Sequence, residues 1–142
     1  MRFWDSSAVV PLILDQPLST RARTLLRDDP AMAVWWGTPV ECASAVARLR
    51  RDGLLDTEAE AGVLRLLEQL RLSWHEVLPG DRLRAQALRV LRIHPLSAGD
   101  ALQLAAALEW AGAPAAGGLV TFDERLAAAA EREGFEAVRR ER

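Results

Sequence analysis

Short apolar runs alternate with longer amphipathic stretches along this chain, and this alternation restricts its fold more than any other feature. Runs rich in Val, Leu, Trp and Phe predict strands, and the stretches between them have helical periodicity. The predicted strands cover residues 2–5, 32–36, 73–78, 118–122 and 135–138. Strands separated by helices, without hairpin signals, favour a mainly parallel sheet covered by helices on both faces. We therefore expect a single α/β domain.

The predicted helices have recognisable ends. Ser6 or Ser7 is expected to cap the first helix, which runs to Leu14. The sequence TPVE predicts a helix with Thr38 as N-cap and Glu41 at the third helical position, where each side chain satisfies a free backbone N–H. The other predicted helical ranges are 19–28, 56–72, 81–93, 98–111 and 124–133, and the TPVE helix ends at Gly53.

The composition is that of a soluble globular protein. The chain has 142 residues, of which 50% are hydrophobic and 27% are charged. Its single cysteine, Cys42, forms no internal disulfide, so nothing calls for an oxidising compartment. The most apolar stretch, 101–122, is broken by Gly112 and Pro114, and Asp5 interrupts the N-terminal apolar residues. We expect no membrane span, no signal peptide and a cytoplasmic location.

The charges are unusual in kind. The net charge of −2 argues against a simple basic coat for nucleic acid. All 18 basic residues are arginine, whose planar guanidinium group suits phosphate, although such a bias also follows from the codon composition of a genome. The chain has no lysine, which bears on two alternative classes of protein considered below.

Four acidic residues follow predicted strands or begin predicted helices: Asp5, Glu41, Asp100 and Asp123. Ligands of open α/β sheets bind beyond the carboxyl ends of the strands, so we expect these carboxylates at one edge of the sheet. Helix capping is an open alternative for each of them, because acidic groups are favoured near helix N-termini. Capping explains Asp5 least well, since two serines follow it.

Convergence of these carboxylates would require a positive partner. Two carboxylates about 5 Å apart repel by roughly 3 kcal/mol at an effective dielectric constant of about 20. Mg²⁺ or Mn²⁺ is the natural partner, because both prefer oxygen ligands. Such ions activate water and stabilise the leaving oxygen of a phosphodiester. We expect all four carboxylates to lie within reach of one ion.

Four stretches together resemble the PIN-domain ribonucleases, and most of all the VapC-type toxins of type II toxin–antitoxin pairs. They are DSSAVV, PVECASAVARL, LSAGDALQLAAAL and LVTFDERLAAAAEREGFEAV. The resemblance covers essentially the whole chain, and implies a single PIN-like domain over residues 1–142. It implies a three-layer α/β/α sandwich, Mg²⁺ or Mn²⁺ as cofactor, and cleavage of RNA by water attack.

The resemblance also implies roles for individual residues and partners. It assigns metal-site roles to the four carboxylates, and supporting roles to Ser7 and Thr121. Glu124 follows the last aspartate, as a further acid does in some relatives. An amphipathic pair of helices, 39–52 and 56–72, would hold a small antitoxin protein, and the first helices would help form a homodimer.

Arginines are the predicted RNA contacts. Arg48 lies two helical turns after Glu41 on the same face, which suits a phosphate contact. Four further arginines are weaker candidates for the same role: Arg21, Arg23, Arg50 and Arg51.

The remaining notable side chains are expected to be structural. Structural roles are expected for His75 and His94, and Cys42 shares an apolar helical stripe with core residues. Most tryptophans are expected in the core. In the pair Trp35–Trp36, the two rings face opposite sides of the strand, and the less buried ring is free to meet a partner.

Two alternative functions are open at this point. One is a PIN-like module with a degenerate site that binds RNA or protein without catalysis. The other is a haloacid-dehalogenase-like phosphatase or a receiver domain, both of which place aspartate after the first strand. Those two classes generally use a lysine, which this chain lacks, and the phosphatase pattern requires Asp where Ser7 stands.

Overall fold

The computed structural model describes residues 1–112 and 115–141. Within them the chain forms five strands: β1 (Arg2–Trp4), β2 (Met32–Trp35), β3 (His75–Val77), β4 (Gly118–Val120) and β5 (Glu136–Val138). It also forms seven helices in this part: α1 (Ser6–Ile13), α2 (Ser19–Asp28), α3 (Thr38–Arg51), α4 (Thr57–Arg71), α5 (Asp81–Ile93), α6 (Ala98–Ala111) and α7 (Glu124–Arg132).

The five strands form one sheet in the order β3-β2-β1-β4-β5, and all four neighbouring pairs are parallel. From β1 the chain moves outward through β2 to β3, and then crosses to the other side of β1 for β4 and β5. The direction therefore reverses between β1 and β4. The carboxyl ends of strands at such a switch point form the crevice in which open α/β sheets bind ligands.

Helices cover both faces of this sheet because successive strand residues point to opposite sides. Phe3 and Leu119 belong to a core cluster with residues of α5, α6 and α7. Trp4 and Val120 belong to a second cluster with residues of α1, α2, α3 and α4. All four of these strand side chains are fully buried. The predicted three-layer α/β/α sandwich with a parallel sheet is confirmed.

The predicted element ranges differ from the observed ones mainly at the strand ends. Helices α2, α5 and α6 begin and end where predicted. Each strand is shorter than its prediction, although the pairing continues past the ends of β1, β2 and β4. The Asp5 N–H donates to the Val120 carbonyl, the Trp36 N–H to the Val77 carbonyl, and the Thr121 N–H to the Val138 carbonyl. Part of the predicted 112–118 turn, residues 113–114, lies outside the described residues.

Two predicted helix caps are wrong. Asp5, and neither serine, is the N-cap of α1, because its carboxylate accepts the Ser7 backbone N–H. Helix α3 begins one residue earlier than predicted, with Gly37 as N-cap and no side-chain cap. The predicted capping box therefore does not form, because the Thr38 hydroxyl accepts from Gln103 of α6, and the Glu41 carboxylate accepts from Gln103 and from Ser6 of α1.

The side chains expected to be structural are mostly buried. Cys42 is in the core, and burial raises the pKa of its thiol to about 12. His94 is buried, and its Nε2 lies 2.8 Å from Glu133 Oε2, whereas His75 is exposed on β3. Trp36 is 51% exposed while Trp35 is buried, but strand alternation is not the cause: all four residues of β2 are buried, and Trp36 lies beyond the end of this strand. No helix in the described part of the chain is long and apolar enough to cross a membrane.

Candidate active site

One cleft at the carboxyl edge of the sheet contains all four acidic residues that the sequence singled out. Its volume is about 470 Å³. Asp5 directly follows β1, Asp123 lies just beyond β4, and Glu41 and Asp100 lie in the first turns of α3 and α6. The other lining residues are Ser6, Ser7, Val10, Val40, Ser44, Ala45 and Arg48. Residues that are far apart in the sequence therefore lie close together at the switch point.

Asp5 is the most buried of these acids, with 1% of its surface exposed. Its Oδ2 accepts hydrogen bonds from the Ser7 hydroxyl and from Thr121 Oγ1, the latter at 2.9 Å. The Ser7 hydroxyl also accepts the Phe122 N–H at 2.9 Å, and Thr121 Oγ1 accepts the Asp123 N–H at 3.1 Å. The two hydroxyls therefore join the end of β1 to the loop after β4 and fix the Asp5 carboxylate between them.

Burial raises the pKa of Asp5 to about 6, even though its hydrogen bonds from Ser7 and Thr121 act in the opposite direction. The negative charge of Glu41 contributes to the rise. A cation at this carboxylate would replace the hydration that burial removes.

Glu41 reaches the cleft from α3 and is bound at both carboxylate oxygens. Ser6 Oγ donates to Oε2 at 2.8 Å, and Gln103 Nε2 donates to Oε1 at 3.0 Å. Burial raises the pKa of Glu41, and the charge of Asp100 raises it further. Its side chain is therefore committed to the site and not to capping α3.

Asp100 and Asp123 complete the acidic set. Ser97 caps α6 by accepting the Asp100 backbone N–H at 3.2 Å, which leaves the Asp100 carboxylate to face the cleft. Burial raises the pKa of Asp100 to about 6, and the charges of Asp5 and Asp123 add to the rise. The Asp123 carboxylate caps α7 by accepting the Leu126 N–H at 2.9 Å, so the capping alternative does apply to this residue.

The chemistry of this donor set fits a hard divalent cation. Neighbouring negative charges raise the pKa values of Asp5, Glu41 and Asp100, and the oxygen ligands that Mg²⁺ and Mn²⁺ prefer are concentrated here. The expectation that all four carboxylates lie within reach of one ion is wrong for this arrangement: in the described residues, no three His, Cys, Asp or Glu side chains lie close enough together to hold one metal ion. Mg²⁺ is usually held by one or two carboxylates and keeps several waters, so the set fits an ion that is bound partly through water.

Sequence reasoning missed the two polar residues that hydrogen-bond to Glu41 in this site. Ser6 was considered only as a helix cap, and Gln103 was not considered, although it is a lone polar side chain in the apolar segment ALQLAAAL. Arg48 lines the cleft, as its spacing from Glu41 suggested. Glu124 is not among the cleft residues and pairs with Arg139 instead.

A fully parallel sheet with carboxylates gathered at its switch point makes this an α/β protein with an acidic cleft. The family model for the PIN domain matches residues 2–132, and the chain belongs to the PIN domain family. This match gives no support to the phosphatase and receiver alternatives. A comparison with curated proteins gives no significant match.

Several solved structures share the fold over nearly the whole chain. VapC20 of Mycobacterium tuberculosis, described as a Sarcin-Ricin loop cleaving toxin, has 20% identity and a TM-score of 0.71, over 98% of this chain and 99% of that one. FitAcB of Neisseria gonorrhoeae has 16% identity and a TM-score of 0.70, over 99% of this chain and 98% of that one. PAE2754 of Pyrobaculum aerophilum has 23% identity and a TM-score of 0.68, over 99% and 89%. At these identities the similarity establishes the fold.

Proposed function

We propose that this PIN-domain protein is a Mg²⁺- or Mn²⁺-dependent endoribonuclease that acts in the cytoplasm as the toxin of a type II toxin–antitoxin pair. The observation that carries the proposal is the convergence of four carboxylates in one cleft at the switch point. The fold shared with VapC20, which is described as a Sarcin-Ricin loop cleaving toxin, supports it.

In the proposed mechanism Asp5, Asp100, Asp123 and Glu41 hold the cation directly or through water. The chemistry that a divalent cation would supply there is activation of a water and stabilisation of negative charge on the phosphodiester. Ser7 and Thr121 fix the Asp5 carboxylate, because both hydroxyls donate to the same oxygen. No side chain forms a covalent intermediate with RNA in this scheme.

Metal-dependent cleavage is the direct test. We expect the purified chain to cleave RNA internally with Mg²⁺ or Mn²⁺ and to lose this activity in EDTA. Asp100→Asn is expected to reduce cleavage by about 100-fold or more at unchanged fold, because the variant loses an anionic ligand. Gel-based cleavage assays and circular dichroism measure the two properties.

Two outcomes would contradict the proposal. Cleavage by Asp100→Asn at the wild-type rate would exclude the proposed site. Failure of the wild-type chain to show saturable Mn²⁺ binding or cleavage would favour the degenerate binding module.

Arg48 is proposed as a contact to the RNA phosphates. It lines the cleft from α3, is exposed, and carries a permanent positive charge beside the carboxylates. We expect Arg48→Ala to lower kcat/KM for RNA by about 10-fold and to reduce the salt dependence of RNA binding by about one counterion. Steady-state cleavage and RNA binding over a series of salt concentrations measure these effects.

Arg50→Ala is the matched control for this prediction. Arg50 lies on the same helix, but its guanidinium group donates to Thr57 Oγ1 and it is absent from the cleft lining. Its replacement is expected to leave kcat/KM within about twofold of wild type, as for a surface charge remote from substrate. Equal losses in the two variants would indicate a general effect of charge and would remove the specific role of Arg48.

An antitoxin partner and a homodimer belong to the same proposal. Large apolar side chains of the 39–72 segment are exposed: Val40, Leu54, Leu64, Leu66 and Leu72. Leu66 of α4 is 47% exposed, so part of the apolar surface of this helix pair is uncovered. A short upstream reading frame whose product binds the chain, and a dimeric mass in solution, are the expected findings.

A further inference from the structure

Gln103 is a buried polar side chain within the apolar interior of α6. It is 0% exposed, as are Leu104 and Ala105 beside it. It also lies one helical turn after Asp100, so the two residues are neighbours on the surface of the helix. Burying an amide costs free energy unless the amide is hydrogen-bonded, so its partners define its role.

The Gln103 amide connects the two helical layers at the carboxyl edge of the sheet. Its Nε2 donates to Glu41 Oε1 at 3.0 Å and to Thr38 Oγ1 at 3.1 Å. Both acceptors lie in the first turn of α3, which packs on the opposite face of the sheet from α6. Gln103 therefore links the Glu41 carboxylate to α6, the helix that also carries Asp100.

Glu41 has a long side chain, which without partners would adopt many conformations. Ser6 holds one of its carboxylate oxygens and Gln103 holds the other. We infer that Gln103 is a positioning residue that holds the Glu41 carboxylate in the cleft and thereby sets the affinity of the site for a divalent cation. This inference rests on the metal site of the proposed function.

Packing alone does not account for Gln103. Among the described residues its Oε1 is one of the buried side-chain atoms without a hydrogen-bond partner. A buried unsatisfied acceptor is destabilising, so an apolar residue of similar shape would suit this core position better. The Gln103→Met variant keeps the length and the unbranched shape of the side chain and removes the donor.

Titration of the full chain with MnCl₂ alone, followed by calorimetry, tests the inference without relying on catalysis. We expect Gln103→Met to weaken Mn²⁺ binding by about 10-fold or more, which is typical when a group that orients a metal ligand is lost. Its melting temperature is expected to stay within a few degrees of wild type. Gln103→Leu serves the same purpose if Met disturbs the packing.

Thr38→Val is the matched control, because it removes the other acceptor of the same amide and leaves the bond to Glu41 in place. We expect Mn²⁺ affinity within about threefold of wild type for this variant. In a Glu41→Gln background, Gln103→Met is expected to cause no further loss, since its effect passes through Glu41. A merely structural role would weaken Mn²⁺ binding equally in both backgrounds.

The possible failures are distinguishable. Wild-type Mn²⁺ affinity in Gln103→Met, or equal losses with and without Glu41, would overturn this inference and leave the proposed function standing. Absence of Mn²⁺ binding by the unmodified chain would overturn the proposed function and this inference together.

Discussion

Asp5→Asn is expected to reduce RNA cleavage by about 10³-fold or more, while the metal-free protein stays folded and becomes more stable. The loss of activity follows from removing the anionic oxygen that is buried deepest in the cleft. The gain in stability follows from burial, which raises the pKa of Asp5 to about 6, so folding at neutral pH carries the cost of an ionised buried carboxylate.

Asparagine suits this position because the contacts of Asp5 are divided between its two oxygens. The hydroxyls of Ser7 and Thr121 both donate to Oδ2, which an amide oxygen replaces as an acceptor. The Ser7 backbone N–H also donates to Oδ2, so the cap of α1 is retained. The amide nitrogen then takes the place of Oδ1, which accepts a hydrogen bond of 3.4 Å from the Ser6 hydroxyl, and it can donate to Ser6 Oγ in return.

Cleavage assays and thermal unfolding in EDTA measure the two effects. Asp15→Asn is the control, since it makes the same chemical change at an exposed carboxylate just beyond α1. It is expected to retain activity and to change the free energy of unfolding by no more than about 0.5 kcal/mol. An inactive and unfolded Asp5→Asn would show that the carboxylate is needed for the fold, contrary to the prediction.

The fold was largely predictable because its signals are local. The ends of α2, α5 and α6 follow from nearby prolines, turns and apolar periodicity, which act within a few residues. The parallel sheet follows from the alternation of strands with helices. The common edge of the four carboxylates then follows from parallel topology, because each of them lies after a strand or at the start of a helix.

The contacts inside the site were not predictable in the same way. Glu41 satisfies a capping-box pattern, yet its carboxylate binds Ser6, 35 positions away, and Gln103, 62 positions away. Such tertiary contacts replace a local alternative that is worth only about 1 kcal/mol. Asp5 caps α1 and also lines the cleft, so capping and site roles did not exclude one another there. Local pattern identifies the acids, but the packing of α3 against α1 and the hydrogen bonds from Gln103 of α6 to α3 decide what holds Glu41.

The stability of the metal-free protein is expected to fall as the pH rises through the range in which Asp5 ionises. The pKa of Asp5 is raised from 3.8 to about 6 on folding, so the folded state binds this proton more tightly than the unfolded state. The protonated Asp5 therefore contributes its full share of the folding free energy below about pH 4. This contribution is lost as the pH rises towards and through about 6. A rise in pKa from 3.8 to about 6 corresponds to about 3 kcal/mol of folding free energy, which is an upper limit for this one group.

The difference in melting temperature between wild type and Asp5→Asn in EDTA isolates this contribution. We expect the difference to be near zero at about pH 4 and to reach roughly 5–10 °C in favour of the variant at about pH 7.5. Asp100 acts in the same direction, since burial and its acidic neighbours also raise its pKa to about 6, but it is half-exposed and contributes less. A difference that does not change with pH would contradict the raised pKa of Asp5.

Mn²⁺ is expected to restore the stability that the folded protein loses as the pH rises, because a cation and protons compete for the same carboxylates. At a concentration of about 100 times its Kd, Mn²⁺ stabilises the folded protein by about 2.7 kcal/mol, which corresponds to a rise of several degrees in the wild-type melting temperature at about pH 7.5. The rise is expected to be small at about pH 5, where Asp5 and Asp100 hold protons, and absent in Asp5→Asn. Calorimetry of both proteins at the two pH values tests this prediction. An equal rise in melting temperature with Mn²⁺ in Asp5→Asn would mean that the ion binds elsewhere. The same carboxylate that destabilises the empty cleft at neutral pH would then have no part in binding the metal.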